Sequence, residues 1–290
     1  MIVTIEQAIQ HAKQQLIKTG LLDSPLLDAE LLLCHTLDVN RSYLFTWPEK
    51  ELTTHQYEQF QQLIEQRLTH QPIAYILGNK EFWGLDLQVS SDTLIPRADT
   101  ETLIEATLAL KPANINQCKV LDLGTGTGAI ALALKHEWPN SEITAVDFSL
   151  GALEVAKQNA INNQLNVNFL HSNWFSALTA KDFDIIVSNP PYIEENDQHI
   201  FQGDVQFEPR SALTSGQDGL DDIRLIIDQA WSFLKSDGWL VIEHGYNQAQ
   251  VMQQLFSDKG YQHYQLHKDL AGNPRISLAQ KNESLDYDNT

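Results

Sequence analysis

The run Lys119-Val120-Leu121-Asp122-Leu123, then Gly124-Thr125-Gly126-Thr127-Gly128, then Ala129-Ile130-Ala131-Leu132-Ala133-Leu134, admits few structures. The first part has the length and composition of a buried strand, and the last opens a helix. The glycines between them let the backbone turn sharply and approach a ligand. Amides at the start of such a helix point at whatever lies beyond the turn. From Lys119 onwards, strand-like and helix-like segments alternate. Strands are expected near 119–123, 142–147, 167–171, 183–188, 238–243, 261–267 and 274–279. This alternation specifies the α/β class, with a doubly wound, mostly parallel, seven-stranded sheet.

The glycine spacing narrows the ligand. It is G-x-G-x-G rather than the dinucleotide fingerprint, and the lysine of a phosphate loop is missing. The strand Glu142 to Val146 ends in Asp147, about 20 residues beyond the glycines, where an acid accepts ribose hydroxyls. Without a pyrophosphate clamp, the adenosine ligand that fits best is S-adenosylmethionine. A further apolar run, Phe183 to Ser188, stops at Asn189-Pro190-Pro191-Tyr192. Two prolines end its ladder, and each holds the residue before it extended. The Asn189 amide oxygen and the Pro190 carbonyl become two fixed acceptors beside an aromatic face, which suits a planar –NH2 group. The plainer alternative is a proline-rich turn after a buried strand.

A chain of 290 residues accommodates one large domain and a small one. A formal net charge of −19, with no two adjacent Lys/Arg residues, argues against direct nucleic-acid binding and favours basic partners. No apolar run reaches the ~18 residues of a membrane span, so no membrane contact is expected. The first residues carry no basic region ahead of an apolar one. Cys34 and Cys118 have no metal spacing and read as core thiols of a reducing compartment. We therefore expect a cytoplasmic protein, a monomer, with no metal. His263 and His267 share an i, i+4 spacing on an expected strand, where they do not converge.

Residues 1–75 read as a helical, substrate-recognition domain. Thr4 and Gln7 form a capping box, and Ile5, Ala8, Ile9, Ala12 and Leu16 fall on one face. Ser24-Pro25 supplies a cap and a first-turn proline for a second helix to Leu37. Thr53 or Thr54 caps a third, with Tyr57, Phe60, Ile64 and Leu68 on one side. Residues 76–95 read as a β-hairpin linker. Residues 96–281 form the sheet domain, with a helix over Thr100 to Leu110 and a polar loop at 111–117. Residues 282–290 are expected to be a disordered tail. Some 27 residues after Tyr192 lack periodicity and read either as a lid or as a mobile insertion.

The chain resembles the N(5)-glutamine methyltransferases that act on peptide chain release factors. The resemblance is carried by Gly78 with Glu81 to Gly84, Leu94-Ile95-Pro96-Arg97 with Thr100-Glu101, and Asp122 to Gly128. It extends to Asp147, Asn189 to Tyr192, Glu208-Pro209, Asp218-Gly219-Leu220 and Asp269-Leu270-Ala271-Gly272. It implies a class I, Rossmann-like methyltransferase fold with S-adenosylmethionine contacts at Gly124, Thr125, Gly126, Thr127, Gly128, Asp147, Trp174 and Asn189. It also implies that Asn189, Pro190, Pro191 and Tyr192 hold the glutamine of a Gly-Gly-Gln tip of a class 1 release factor. Three positions depart from the family: Ala98-Asp99 replaces Pro-Glu, Asn173 replaces an acid, and His244 replaces Ile. Tyr192 is expected to pack flat on the substrate amide. Arg97 reads either as a partner for the cofactor carboxylate or as a surface charge. The pocket chemistry leaves a ribosomal-protein glutamine or an exocyclic amine of nucleic acid as alternative acceptors.

Overall fold

The computed structural model describes residues 3–20, 24–110 and 117–282; the expected tail lies, from residue 283, outside them, as do residues 111–116 of the polar loop. The chain divides into two units, Met1–Asn79 with Gln198–Phe207, and Lys80–Asp197 with Glu208–Thr290.

In the first unit, β1 (Val3–Thr4) pairs antiparallel with β2 (Glu51–Leu52). Around them stand α1 (Ile5–Ile17), α2 (Pro25–Leu37), α3 (Arg41–Thr46), α4 (Thr54–Leu68) and α5 (Ile73–Leu77). Thr4 with Gln7 and Thr53 with Gln56 close reciprocal capping boxes, so two backbone amides at each helix start are satisfied. Ser24 makes no side-chain cap, a departure from expectation, so α2 starts on Pro25 alone. The Ile5, Ala8, Ile9, Ala12 and Leu16 stripe is buried against Leu32, Leu33, Phe60 and Ile64. Arg67, on α4, is buried in the same unit. Its Nε donates to Asp28 at 2.8 Å and its Nη1 to Asp204 at 2.9 Å.

In the second unit, β3 (Asn79–Phe82) and β4 (Leu85–Gln88) form the hairpin, and α6 (Ala98–Ala109) follows. Then come β5 (Lys119–Leu123), α7 (Ala129–Glu137), β6 (Glu142–Asp147), α8 (Leu150–Asn162), β7 (Asn168–His171) and β8 (Phe183–Ser188). The unit closes with α9 (Asp221–Phe233), β9 (Leu234–Glu243), α10 (Ala249–Lys259), β10 (Gln262–Lys268) and β11 (Pro274–Gln280). The seven strands from β5 on form one sheet in the order β10-β11-β9-β8-β5-β6-β7. β11 runs antiparallel to both its neighbours; the other pairings are parallel. The order reverses at β5, so the turns after β5 and β8 meet at the carboxyl edge, where ligands of such sheets bind.

Two expected boundaries are corrected. Phe82, Leu85 and Leu87 of the hairpin are buried in one cluster with Val120 and Ile185 of the sheet, so the hairpin belongs to the sheet unit rather than standing as a linker. Gln198–Phe207, assigned by sequence to the 96–281 domain, groups instead with the helices, and its Asp204 pairs with Arg67 of α4. The long loop after Tyr192 is therefore neither periodic nor loose. Three 3₁₀ turns, at Gln198–Phe201, Val205–Phe207 and Arg210–Ala212, organise it. Ile193 N–H donates to Leu213 and Ser215 N–H donates back to Ile193, which staples its ends together.

Candidate active site

Register brings four strand ends into line. Leu123 of β5 stands opposite Val146 of β6 and Ser188 of β8, and Ser188 stands opposite Ile242 of β9. The next residues, Gly124, Asp147, Asn189 and Glu243, therefore crown the same edge. A cavity of about 440 Å³ opens there. All five residues of the glycine turn except Gly128 line it, together with Asp147, Trp174, Asn189 and Pro191.

The turn is built to bring backbone close to a ligand. Gly124, Gly126 and Gly128 all have positive φ, at 71°, 55° and 84°. A side chain at Gly124 would also lie 3.3 Å from the Trp174 ring. Gly128 caps α7, and a side chain there would press on Leu132 and Ala156. Asp147 fastens the turn: its Oδ2 accepts from Gly126 N–H and its Oδ1 from Ser149 N–H, both at 2.8 Å. Burial raises the Asp147 pKa, and these amides oppose that rise. The Phe148 amide adds a third donor, so of the carboxylate's roughly four lone pairs one remains for a hydroxyl. Trp174 is fixed by its Nε1–H donating to Asp222 at 3.0 Å. Asn173 lines the cavity beside it. A glycine cradle, an acid with a free lone pair and an aromatic wall together fit an adenosine-bearing cofactor.

The proline-stiffened corner divides its roles. Asn189 reaches the cavity, and its Nδ2 donates to Thr100 Oγ1 at 3.2 Å, leaving Oδ1 as an acceptor. Pro191 lines the wall, whereas Pro190 and Tyr192 are not part of it. The expectation of Tyr192 flat on a substrate amide is corrected: the ring packs against the sheet core and its hydroxyl donates to Glu243 Oε1 at 3.3 Å. The Glu243 carboxyl is buried and its pKa is pushed up to about 7, while Thr100, Arg275 and Tyr192 oppose that rise. Arg97 is neither a lone surface charge nor uncommitted. Its Nη2 holds both oxygens of the buried Glu208, at 2.7 and 2.6 Å. Glu208 also accepts from Ile95 N–H. His244 fits its strand end as a neutral ring, kept so by burial. Gly245 carbonyl accepts from Nδ1–H, so Nε2 accepts from the Ser277 hydroxyl.

Sequence reasoning passed over Thr100 as a contact, Glu243 and Asp222. A usable signal for Glu243 was present: Trp239-Leu240-Val241-Ile242-Glu243 ends an apolar strand in an acid, as β6 ends in Asp147. The two cysteines are free and buried, and burial pushes the Cys118 thiol up to about 12, which makes it inert.

Asp122, buried under the turn, predicts a pH effect. Its Oδ2 accepts from Thr125 at 2.6 Å and its Oδ1 has no partner among the described residues. Burial, more than the nearby Asp147, lifts its pKa to about 7, against the Thr125 hydroxyl and the Ala131 amide. A raised acid favours the fold most below the ordinary carboxylate range, and that contribution is lost as pH rises through about 7. Asp122→Asn should therefore have a flatter melting-temperature profile than the wild type between pH 5 and 7. Parallel profiles would show that Asp122 titrates normally.

The comparisons with known proteins bear on the family and the fold. Residues 7–78 match the PrmC N-terminal domain model, and residues 99–208 match the methyltransferase small domain model. The chain is 47% identical to the release factor glutamine methyltransferase of Aliivibrio fischeri over 97% of its own length and 98% of the relative's. It is 49% identical to that of Vibrio cholerae over the same shares. The 16S rRNA N2 G1207 methyltransferase of T. thermophilus, solved with AdoMet and guanosine, shares the fold at a TM-score of 0.51 and 22% identity. That match covers 70% of this chain and 50% of that one. No helix among the described residues is long and apolar enough to cross a membrane.

Proposed function

Because the chain belongs to the release factor glutamine methyltransferase family, we propose that it methylates the side-chain amide nitrogen of a release-factor glutamine, with S-adenosylmethionine as the methyl donor. The glutamine is that of the Gly-Gly-Gln motif of class 1 factors. The protein works in the cytoplasm as a monomer, without direct nucleic-acid contact, in keeping with its net charge of −19.

One observation carries this reading. Asn189 stands on the cavity wall beside the glycine turn with its amide nitrogen already bonded, so an oxygen faces the incoming group. A carboxamide nitrogen is a poor nucleophile because its lone pair is delocalised into the carbonyl. Asn189 Oδ1 accepts one of its N–H bonds and aims that lone pair. Gly124 to Thr127, Asp147 and Trp174 would hold the cofactor, which would supply a methyl group on a sulfonium sulfur. Orientation and exclusion of water then provide most of the rate. The proton leaves after methylation has made the nitrogen acidic, so no dedicated base is required. Tyr192 and Pro191 stiffen the corner from behind and beside it.

Radiolabel transfer tests the assignment, with release factor, ribosomal protein, DNA and RNA offered side by side. Label is expected on release factor alone and lost from its Gln→Ala variant. Label on any other acceptor with none on release factor would overturn the assignment. Asp147→Ala should weaken cofactor binding about 10- to 100-fold, the scale of one hydrogen bond to a charged group. Calorimetry with unchanged affinity would remove Asp147 from the cofactor site.

A further inference from the structure

We propose that Arg97 and Glu208 are positioning residues for the acceptor site: their ion pair closes a ring of three chain segments along the cavity wall, and the ring sets where Asn189 stands. The inference rests on the methyl-transfer reading above, in which Asn189 meets the acceptor, and adds what holds that residue in place.

Three contacts close the ring. Asn189 Nδ2 donates to Thr100 Oγ1 at 3.2 Å. Just ahead of Thr100 stands Arg97, whose Nη2 lies 2.7 and 2.6 Å from the two Glu208 oxygens. From Glu208 the chain runs through the 3₁₀ turn Arg210–Ala212 to Leu213, whose carbonyl accepts from Ile193 N–H at 2.9 Å. Ile193 also bridges Thr214 in parallel register. The stiff corner Asn189-Pro190-Pro191-Tyr192 leads directly into Ile193, which completes the circuit. Arg97, Thr100, Asn189, Pro191, Pro209 and Ala212 all line the cavity, so the ring is part of its wall.

The ion pair is the strongest of these links. The Glu208 side chain is 0% exposed, and water therefore competes little for its oxygens. It also accepts from Ile95 N–H at 3.3 Å, so it grips the segment ahead of α6 at two points. Each partner adjoins a proline that lines the cavity, Pro96 beside Arg97 and Pro209 beside Glu208. A proline fixes its own φ and holds the residue before it extended, so little slack separates the ion pair from the wall. Glu208 is also the first residue of the sheet unit after Gln198–Phe207. The pair thus anchors the Pro209–Ala212 wall at the point where the chain returns to this unit.

Arg97→Met keeps the apolar stem and removes the cation. It should lower the melting temperature, because a buried carboxylate loses the cation that both its oxygens contact. Its kcat at saturating acceptor should fall about 10- to 100-fold, the scale for a displaced group at a reacting centre. Adding Glu208→Gln removes the buried charge, so the melting temperature should return towards the wild-type value while kcat stays low. That split separates positioning from stability. Cofactor affinity by calorimetry should stay within about threefold in both variants, since the glycine turn and Asp147 keep their own contacts. If the double variant still melts low, Glu208→Gln alone carries the test. It keeps the volume of the side chain and should lower kcat about 3- to 10-fold, as a neutral bond replaces charge-assisted ones. Wild-type kcat in that variant, or kcat recovering in step with the melting temperature in the double variant, would overturn the ring. So would a loss of cofactor affinity matching the loss of kcat, which would make Arg97 a cofactor ligand. The assays use whichever acceptor the wild type labels, so label on another acceptor alone removes the release-factor assignment without touching the ring. No label on any acceptor would remove both.

Discussion

Asn189→Ala is expected to lower turnover by about two to three orders of magnitude, the scale for removing one preorganised group at a reacting centre. Cofactor affinity should change little, because the glycine turn and Asp147 hold that ligand through their own contacts. Stability should change little as well. Asn189 is partly exposed and bonds one neutral hydroxyl, a contact worth about 1 kcal/mol. The three measurements together define the role. Loss of turnover with intact calorimetry and melting temperature identifies a group that acts on the acceptor. Near-normal turnover with tight cofactor binding would reject it. Asn189→Asp is a sharper form of the test. The isosteric carboxylate keeps an acceptor facing the cavity while the Thr100 hydroxyl turns to donate to it, so turnover retained in this variant and lost in alanine marks the oxygen as the group that acts.

Arg67→Ala is expected to destabilise the helical unit by about 3–5 kcal/mol, the usual consequence of breaking a buried ion pair by removing one member. Arg67 and Asp28 each expose 8% of their side chains, so water cannot replace the lost bond. Arg67 Nη1 also donates to the Gln71 carbonyl at 2.9 Å, just past the end of α4, where a helix leaves carbonyls unpaired. The control is Asp204→Ala. That carboxylate is 40% exposed, so its loss should cost no more than about 1 kcal/mol. Urea unfolding monitored on the helical unit distinguishes the two. Similar midpoints for both variants would mean that the Arg67 cluster is no more than a surface network. The same comparison reports on residues 198–207, whose Asp204 pairs with Arg67, through protease sensitivity of that segment.

The two sites differ in how far each could be read from the chain. The glycine turn, the acid closing β6 and the Asn-Pro-Pro-Tyr corner were all legible, because each is a local pattern. Positive φ demands glycine, an apolar run ends in a polar residue, and two prolines stop a ladder. The helical stripes of α1 and α4 were legible for the same reason, down to Phe60 and Ile64. Arg67 was not. On α4 it falls among buried positions, yet a charge there makes sense only with Asp28, 39 residues away, and Asp204, 137 residues away. Tyr192 misled in the opposite sense. An aromatic ring after two prolines suggests a stacking platform, whereas the sheet core and Glu243 draw it inward. Arg97 and Glu208 lie 111 residues apart, and neither predicts the other.

By itself, then, the sequence determined the α/β architecture, the order of the strands and helices, and which strand ends carry the cofactor turn and the acceptor corner. These follow from periodicity and backbone sterics, which act between near neighbours in the chain. Tertiary structure alone decided which polar groups face one another. It chose Thr100 for Asn189, Glu243 for Tyr192, Glu208 for Arg97 and Arg67 for Asp204. The physical reason is that burial obliges each polar atom to find a complementary one, and the chain supplies that partner from dozens to more than a hundred residues away.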